Sequence, residues 1–289
     1  MVRTIATGVV GAASLAAGQT SQLYISQLDS ARMVVVQGGE VVRSWDTLAA
    51  GENAVAVGDD SIRTAGNHWV GDGAGAEYDL SGNHLGPIYS IIGGGNWFDG
   101  ATDGRHYNYA VQHNGDSNLY RFDRDWSNPH ALFHLGNAAS GVTLDVRDGT
   151  FWVTDSLTRL VRNVGRDGAV ISAFPADDGQ SAYGIAMDPE DGTLWVGGDQ
   201  SNVIYQYDTS GALLSSVAVP GISSAFGMEF HAVMRCWADF DDNGVLDTRD
   251  VLAFLNAWVR GDGAADCDGN GVHNTIDVLC FFDMYNFGC

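Results

Sequence analysis

The sequence predicts an all-β domain of short repeated strands followed by a small α-helical module, and three observations carry that prediction. Residues 20–232 repeat with a period of 43 residues, as alternating apolar segments broken by turns. Near the C-terminus, two Asp-rich loops of twelve residues are each followed by an amphipathic helical segment. All four cysteines, Cys236, Cys267, Cys280 and Cys289, fall in the last 54 residues.

At 289 residues the chain has room for one large domain and one small one. Hydrophobic residues make up 45% and aromatics 10%, enough to bury a core, so a disordered chain is excluded. The formal net charge is −22, all 14 basic residues are Arg, and most acids are Asp. Such a surface repels phosphate backbones and anionic lipid, which argues against nucleic-acid and membrane-surface binding. The N-terminal stretch carries one early Arg, a weakly apolar run from Ile5 to Ala17, and small residues at Ser14, Ala16 and Gly18. Residues 1–18 therefore read as an export signal, too short and too rich in Gly and Ala to span a membrane. The later sequence offers no candidate transmembrane helix, and a secreted or cell-surface monomer is expected. Export and clustered cysteines together suggest two disulfides.

The repeat is clearest in SGVTLDVRDGTFWVTD, YGIAMDPEDGTLWVGG and FGMEF, which set Gly141, Gly184 and Gly227 at steps of 43. A second series, Gly39, Gly82, Gly168 and Gly211, keeps one phase, with Asp125 in the gap. Within a copy, GIAMD, GTLWVGG, NVIYQYD and ALLSSVAV read as four short strands without helical periodicity. A recurring four-stranded unit of this length is the signature of a β-propeller blade. Stepping back from Gly227 gives blade starts near 184, 141, 98, 55 and 12. The last falls in the signal segment, so the first blade lacks its inner strand, and GMEFHA (227–232) is free to fill it. Five blades over residues 19–232 result, with six, one of them irregular, as the alternative. Closure by the two chain ends also removes exposed strand edges.

Residues 239–250, DFDDNGVLDTRD, and 266–277, DCDGNGVHNTID, obey one template of the EF-hand type. Calcium takes six to eight oxygen ligands, and alternate side chains of a tight loop supply them. The first loop offers Asp239, Asp241, Asn243, the Val245 carbonyl, Asp247 and Asp250. The second offers Asp266, Asp268, Asn270, the Val272 carbonyl, Asn274 and Asp277. Gly244 and Gly271 permit the sharp turn. Two calcium ions are expected.

Position 12 of each loop is Asp rather than Glu, and no apolar helix leads into either loop. These departures, with the duplicated loop–helix arrangement over 236–289, resemble the dockerin module of cellulosomal proteins. The closer likeness is to cysteine-bearing dockerin-like tails ending in Gly-Cys, here NFGC, on exported proteins of planctomycete-type bacteria. The resemblance implies docking to a cohesin-like or other cell-surface receptor. It places the recognition pairs at Thr248-Arg249 and Thr275-Ile276. It also implies that the module's ends lie close, which favours Cys236–Cys289 and then Cys267–Cys280, although four cysteines allow three pairings.

The repeat pattern G-[IVM]-x-x-D-x-x-D-G-T-[LF]-W-V, mainly over 140–230, resembles the NHL, gluconolactonase-like and quinoprotein-like propellers at the level of fold. Candidate polar groups of the propeller are Asp103, His106, His113, His130, His134 and Glu229. None falls into a spacing that demands chemistry, and His130 and His134 share one side of an expected strand. Phe151-Trp152 and Leu194-Trp195 recur at the repeat interval and are expected in blade packing. A display propeller that binds a glycan or protein ligand is the leading reading. The alternative is an extracellular hydrolase or lactonase with its active site in the channel. A largely structural spacer is the third reading; carboxylates converging on the channel would favour the enzyme, an aromatic-lined rim the binder, and neither the spacer.

Overall fold

The alternating segments form five blades around a common axis. The computed structural model describes residues 21–287 apart from 28–29, 59, 67–72, 91–94, 105–106, 114–115, 137, 177–181, 232–237, 242, 244, 266 and 268–271, with backbone alone at 90, 283 and 287. The signal segment, His106, Cys236, Cys289, Gly244, Gly271, Asp266, Asp268 and Asn270 lie outside the described residues. The described chain falls into two compact units, the propeller and a C-terminal helical region.

The first blade holds β1 (Leu23–Ser26), β2 (Arg32–Gln37) and β3 (Glu40–Asp46). The second holds β4 (Glu52–Val57), β5 (Ser61–Gly66), β6 (Ala74–Gly75), β7 (Glu77–Asp79) and β8 (Tyr89–Ser90). Here β4, β5 and β7 form one sheet, while β6 and β8 pair apart from it, so this is the irregular blade. The third runs β9 (Trp97–Thr102), β10 (Tyr107–Gln112), β11 (Asn118–Asp123) and β12 (His130–His134). The fourth runs β13 (Ala139–Leu144), β14 (Phe151–Asp155), β15 (Leu160–Val164) and β16 (Val170–Pro175). The fifth runs β17 (Ala182–Met187), β18 (Leu194–Gly198), β19 (Val203–Tyr207) and β20 (Leu213–Ala218). A last strand, β21 (Gly227–Phe230), pairs antiparallel with β1, Leu23 opposite Phe230 and Ser26 opposite Gly227. The C-terminal end of the repeat region thus supplies the first blade's inner strand, as the sequence predicts.

Both glycine series have a steric cause. At Gly227 a Cβ would sit 1.6 Å from the Asn53 carbonyl of the next inner strand, and at Gly141 2.1 Å from that of Tyr183. Inner strands this crowded around an axis leave no room for a side chain facing a neighbour's backbone. Gly211 adopts φ +90°, and a Cβ there would meet the Phe174 ring of the preceding blade at 2.5 Å. Where Asp125 replaces glycine in the series, the turn instead places Trp126 and Asn128 at positive φ. Between blades four and five, Trp152, Phe174, Ile185 and Leu194 form one buried cluster, and Trp195 packs in the next. The recurring aromatic pairs are blade packing.

The helical region contains α1 (Thr248–Arg260) and α2 (Thr275–Phe287). Asp247 caps α1 in a reciprocal box with Asp250, and Gly261 ends it in the left-handed region at φ 67°. Phe254 and Phe281, each the same distance past its loop, stack at 4.1 Å with both rings fully buried. Phe240 packs edge-on against both rings, at 5.5 and 6.2 Å. A disulfide joins Cys267 to Cys280.

Candidate functional site

Two places bring acidic side chains together. One is the first Asp-rich loop. Carboxylate oxygens of Asp239, Asp241 and Asp250 lie within 4.8 Å of one another. Oxygens bound to one calcium at about 2.3–2.6 Å stand no farther apart than about 5 Å, so these three fit a shared ion. The loop is shaped by its own side chains. Asp239 Oδ1 accepts from the Asn243 amide at 3.0 Å, and Asn243 Oδ1 from the Val245 amide at 2.8 Å. Asp250, fully buried, accepts from the amides of Asp241 at 3.2 Å and Asp247 at 2.8 Å. Loss of solvent, then the charges of Asp250, Asp239 and Asp247, hold the Asp241 carboxyl above its ordinary value. A bound cation would relieve that repulsion.

In the second loop, the described half repeats this frame. Asp277, also fully buried, accepts from the Asn274 amide at 2.7 Å, and Asn274 Oδ1 accepts from the Ile276 amide at 2.7 Å. The Trp258 indole of α1 donates to the Asn274 carbonyl at 3.0 Å, tying the copies together.

The other place is the propeller axis, where the decisive residue is Asp99, absent from the candidates drawn from sequence. Its Oδ1 accepts from the amides of Gly100 at 2.9 Å and Met228 at 2.8 Å. Its Oδ2 accepts from Val142 at 3.2 Å and Ile185 at 2.9 Å. Positions 99, 142, 185 and 228 are one repeat column, so the carboxylate reaches the inner strands of three other blades. The column reads Ala56, Asp99, Val142, Ile185, Met228; one acid among apolar residues was the available signal. Glu229, on the closing strand, is also buried and accepts from the Thr102 amide, while its Oε2 has no partner.

The two carboxyls divide their roles. Burial raises Asp99 well above its ordinary value, and its four amide donors only partly oppose that rise. Both carboxyls are raised, but a proton on either Asp99 oxygen would displace an N–H, so the geometry favours Glu229 as the first of the two to hold one. Burial first, and the Asp99 charge second, raise Glu229 well above its ordinary value of 4.5. A carboxyl raised in the fold stabilises it fully below that ordinary value, and the contribution fades as pH climbs through the folded value. The propeller should therefore lose stability over the range above pH 4.5, and Glu229→Gln should remove that part of the slope. Urea unfolding of both proteins across that range tests it, and equal slopes would place the proton elsewhere.

The other sequence candidates among the described residues make local contacts within and between the blades. His113 stacks on Phe98 at 4.5 Å, and its Nδ1 bonds the Ala139 carbonyl. His130 and His134 lie on strand β12, both exposed, and His134 Nδ1 pairs with the Asp116 carbonyl. Asp103 accepts from the Tyr107 amide in a tight turn. Phe98, His113, Tyr183 and Phe226 cluster where the inner strands begin. Three of these four are buried, so the cluster fills that end rather than lining an open rim. No helix among the described residues is long and apolar enough to cross a membrane.

No family model matches the sequence, and no curated protein matches it. Among solved structures, a nidogen/laminin complex aligns at 11% identity and a TM-score of 0.52, over 75% of this chain and 100% of that one. Streptogramin B lyase aligns at 16% identity and 0.43, over 69% and 65%. The glutaminyl cyclase of Myxococcus xanthus aligns at 11% and 0.46, over 72% and 73%. At these identities the likeness is one of fold alone, and the fold is a five-bladed β-propeller followed by a small disulfide-bonded helical region.

Proposed function

We propose that this chain is an exported display protein whose propeller presents a binding surface for a glycan or protein. On this reading its C-terminal module is dockerin-like, holds two calcium ions and docks to a cohesin-like or other cell-surface receptor. The observation that carries it is the convergence of Asp239, Asp241 and Asp250 in a capped loop whose frame recurs 27 residues later. Two buried position-12 carboxylates, each oriented by backbone amides, add support. The module also leaves large apolar side chains in solvent. Leu252 and Val259 on α1 are 62% and 77% exposed, and Ile276 and Leu279 on α2 are 55% and 64%. In so small a core such residues suit a partner's surface.

The hydrolase reading gains less. Two carboxylates do converge on the channel, but Asp99 is 0% exposed and Glu229 only 7%, and Asp99 has every acceptor direction filled. They build the axis and do not face a substrate.

Calorimetric titration of the whole chain with calcium should show two sites. Immobilised protein should then capture a purified cohesin domain only while calcium is present. No binding heat at millimolar calcium would end the calcium reading, whereas two sites without capture by any of a panel of cohesins would end the docking reading alone.

A further inference from the structure

The seams between neighbouring blades are closed by aromatic rings, with one exception. Trp45 of blade one lies against Gly82 of blade two, Phe133 of blade three against Gly168 of blade four, and Phe174 of blade four against Gly211 of blade five. A Cβ at these three glycines would come within 2.5, 2.9 and 2.5 Å of the ring. Between blades two and three, where Asp125 stands in the glycine series, Trp126 packs with Ala54 and Ala56 instead. The seam between blade five and blade one differs. Val217 stands opposite Ile204 as Phe174 stands opposite Val161, so the residue in the ring's register is a valine. The hairpin of blade one is also short: Gly38 and Gly39, at φ 57° and 84°, join Gln37 directly to Glu40. A Cβ at Gly38 would meet nothing within 4 Å.

What remains at this seam is an apolar cleft lined by Leu23, Val36, Gly38, Gly39, Trp195 and Phe230, about 200 Å³ measured out to its open mouth. Its closed part takes little more than a water, so anything larger must lie in the mouth, over the glycine hairpin. Ser21 completes the lining and brings charge to one side. Its hydroxyl donates to Asp188 at 2.9 Å and its amide to Glu190 at 3.3 Å.

We propose that this cleft binds an aromatic ring carrying a short cationic tail, as in a small arylalkylamine. The ring takes the place that Phe174 takes at the preceding seam, where it lies 6.0 Å from Trp152 and 5.5 Å from Tyr207. Trp195 is the repeat counterpart of Trp152, and Phe230 stands 6.1 Å from it, so the cleft presents an aromatic wall to such a ring. The ammonium is placed beside the exposed Glu190, with Asp188 behind it. The same carboxylates, in a chain of net charge −22, disfavour an aromatic acid. The proposal is independent of the calcium loops and of the docking reading.

The test titrates the full chain with phenethylamine by calorimetry. One saturable site is expected, with a dissociation constant on the order of millimolar, as suits a small ligand in a shallow cleft. 3-Phenylpropionate, with the same ring and the opposite charge, should bind about 5- to 10-fold more weakly, the scale of an exposed charge pair reversed. Glu190→Gln should narrow that difference to about twofold. Val217→Phe supplies the ring of the other seams and should abolish binding while raising the melting temperature. Absence of saturation overturns the proposal, as does equal or tighter binding of the acid, or unchanged binding by a folded Val217→Phe. If that variant does not fold, an aryl-azide analogue of phenethylamine decides. Photolabelling of peptides that hold Leu23, Val36, Gly39 or Phe230 supports the site, and labelling elsewhere overturns it.

Discussion

Replacing Asp99 with Asn should destabilise the propeller by about 3–5 kcal/mol, the range for breaking a buried charged network. The substitution keeps the volume but turns one acceptor oxygen into an NH2 group. That group must face amide donors that it cannot satisfy, either those of Gly100 and Met228 or those of Val142 and Ile185. Hydrogen bonds to a charged acceptor contribute about 1.5–3 kcal/mol each, and an orphaned buried donor adds its own penalty. For a domain of this size the loss corresponds to a fall in melting temperature of roughly 10 °C or more. The damage should be localised first. Met228 lies on the closing strand, so its bond to Asp99 helps to hold β21 in the ring. Amide exchange should accelerate at Val142, Ile185 and Met228 before it does in the outer strands. Glu229→Gln serves as the control, since Glu229 accepts from one amide only and the remaining oxygen of Gln can keep that bond. A loss below about 1 kcal/mol in Asp99→Asn would mean that the four bonds are not those of an anion.

The parts of this fold that could be read in the sequence are those where geometry demands one residue type at a fixed step. Gly141, Gly184 and Gly227 recur because the neighbouring inner strand occupies the place of a Cβ. Gly82, Gly168 and Gly211 recur because a positive φ coincides with an aromatic ring from the previous blade. Those two constraints gave the period, the blade starts and the closing strand. Asp99 escaped for a physical reason. Asp-Gly is a turn signal in isolation, yet Asp99-Gly100 lies inside β9, and only the inward convergence of the strands reveals its role. The second blade was harder to read because its outer half departs from the alternating pattern. GNHLGPIYS reads as an apolar run from Gly82, but its only strand is Tyr89–Ser90. Spacing alone left three cysteine pairings open, and of the two that the resemblance favoured, Cys267–Cys280 is present, while Cys236 and Cys289 lie outside the described residues.

Chelation of calcium should unfold the helical region while leaving the propeller folded. Among the described residues, Phe254, Ala257, Ala265 and Phe281 form its centre, with Phe240 and seven other partly buried side chains around them. A core of that size supplies little margin by itself. Against it stands the repulsion among Asp239, Asp241, Asp247 and Asp250, which the ion would reverse. At a calcium concentration a hundredfold above its dissociation constant, each site adds about 2.7 kcal/mol to the folded state. Two such sites, if both bind, would supply stability comparable to all that such a core can offer. Circular dichroism at 222 nm separates the units, because the described helices of more than one turn, α1 and α2, both belong to the module. The signal should collapse in chelator and return with excess calcium, while the propeller's tryptophan environment, with Trp97, Trp126 and Trp152 buried, stays unchanged. Asp250→Ala should mimic half of this loss at saturating calcium, since it removes both a ligand and the partner of the Asp247 cap. Helical signal indifferent to chelator would mean that the aromatic stack and the disulfide suffice, and that the carboxylates serve the loops as turns and caps rather than as a cage for a cation.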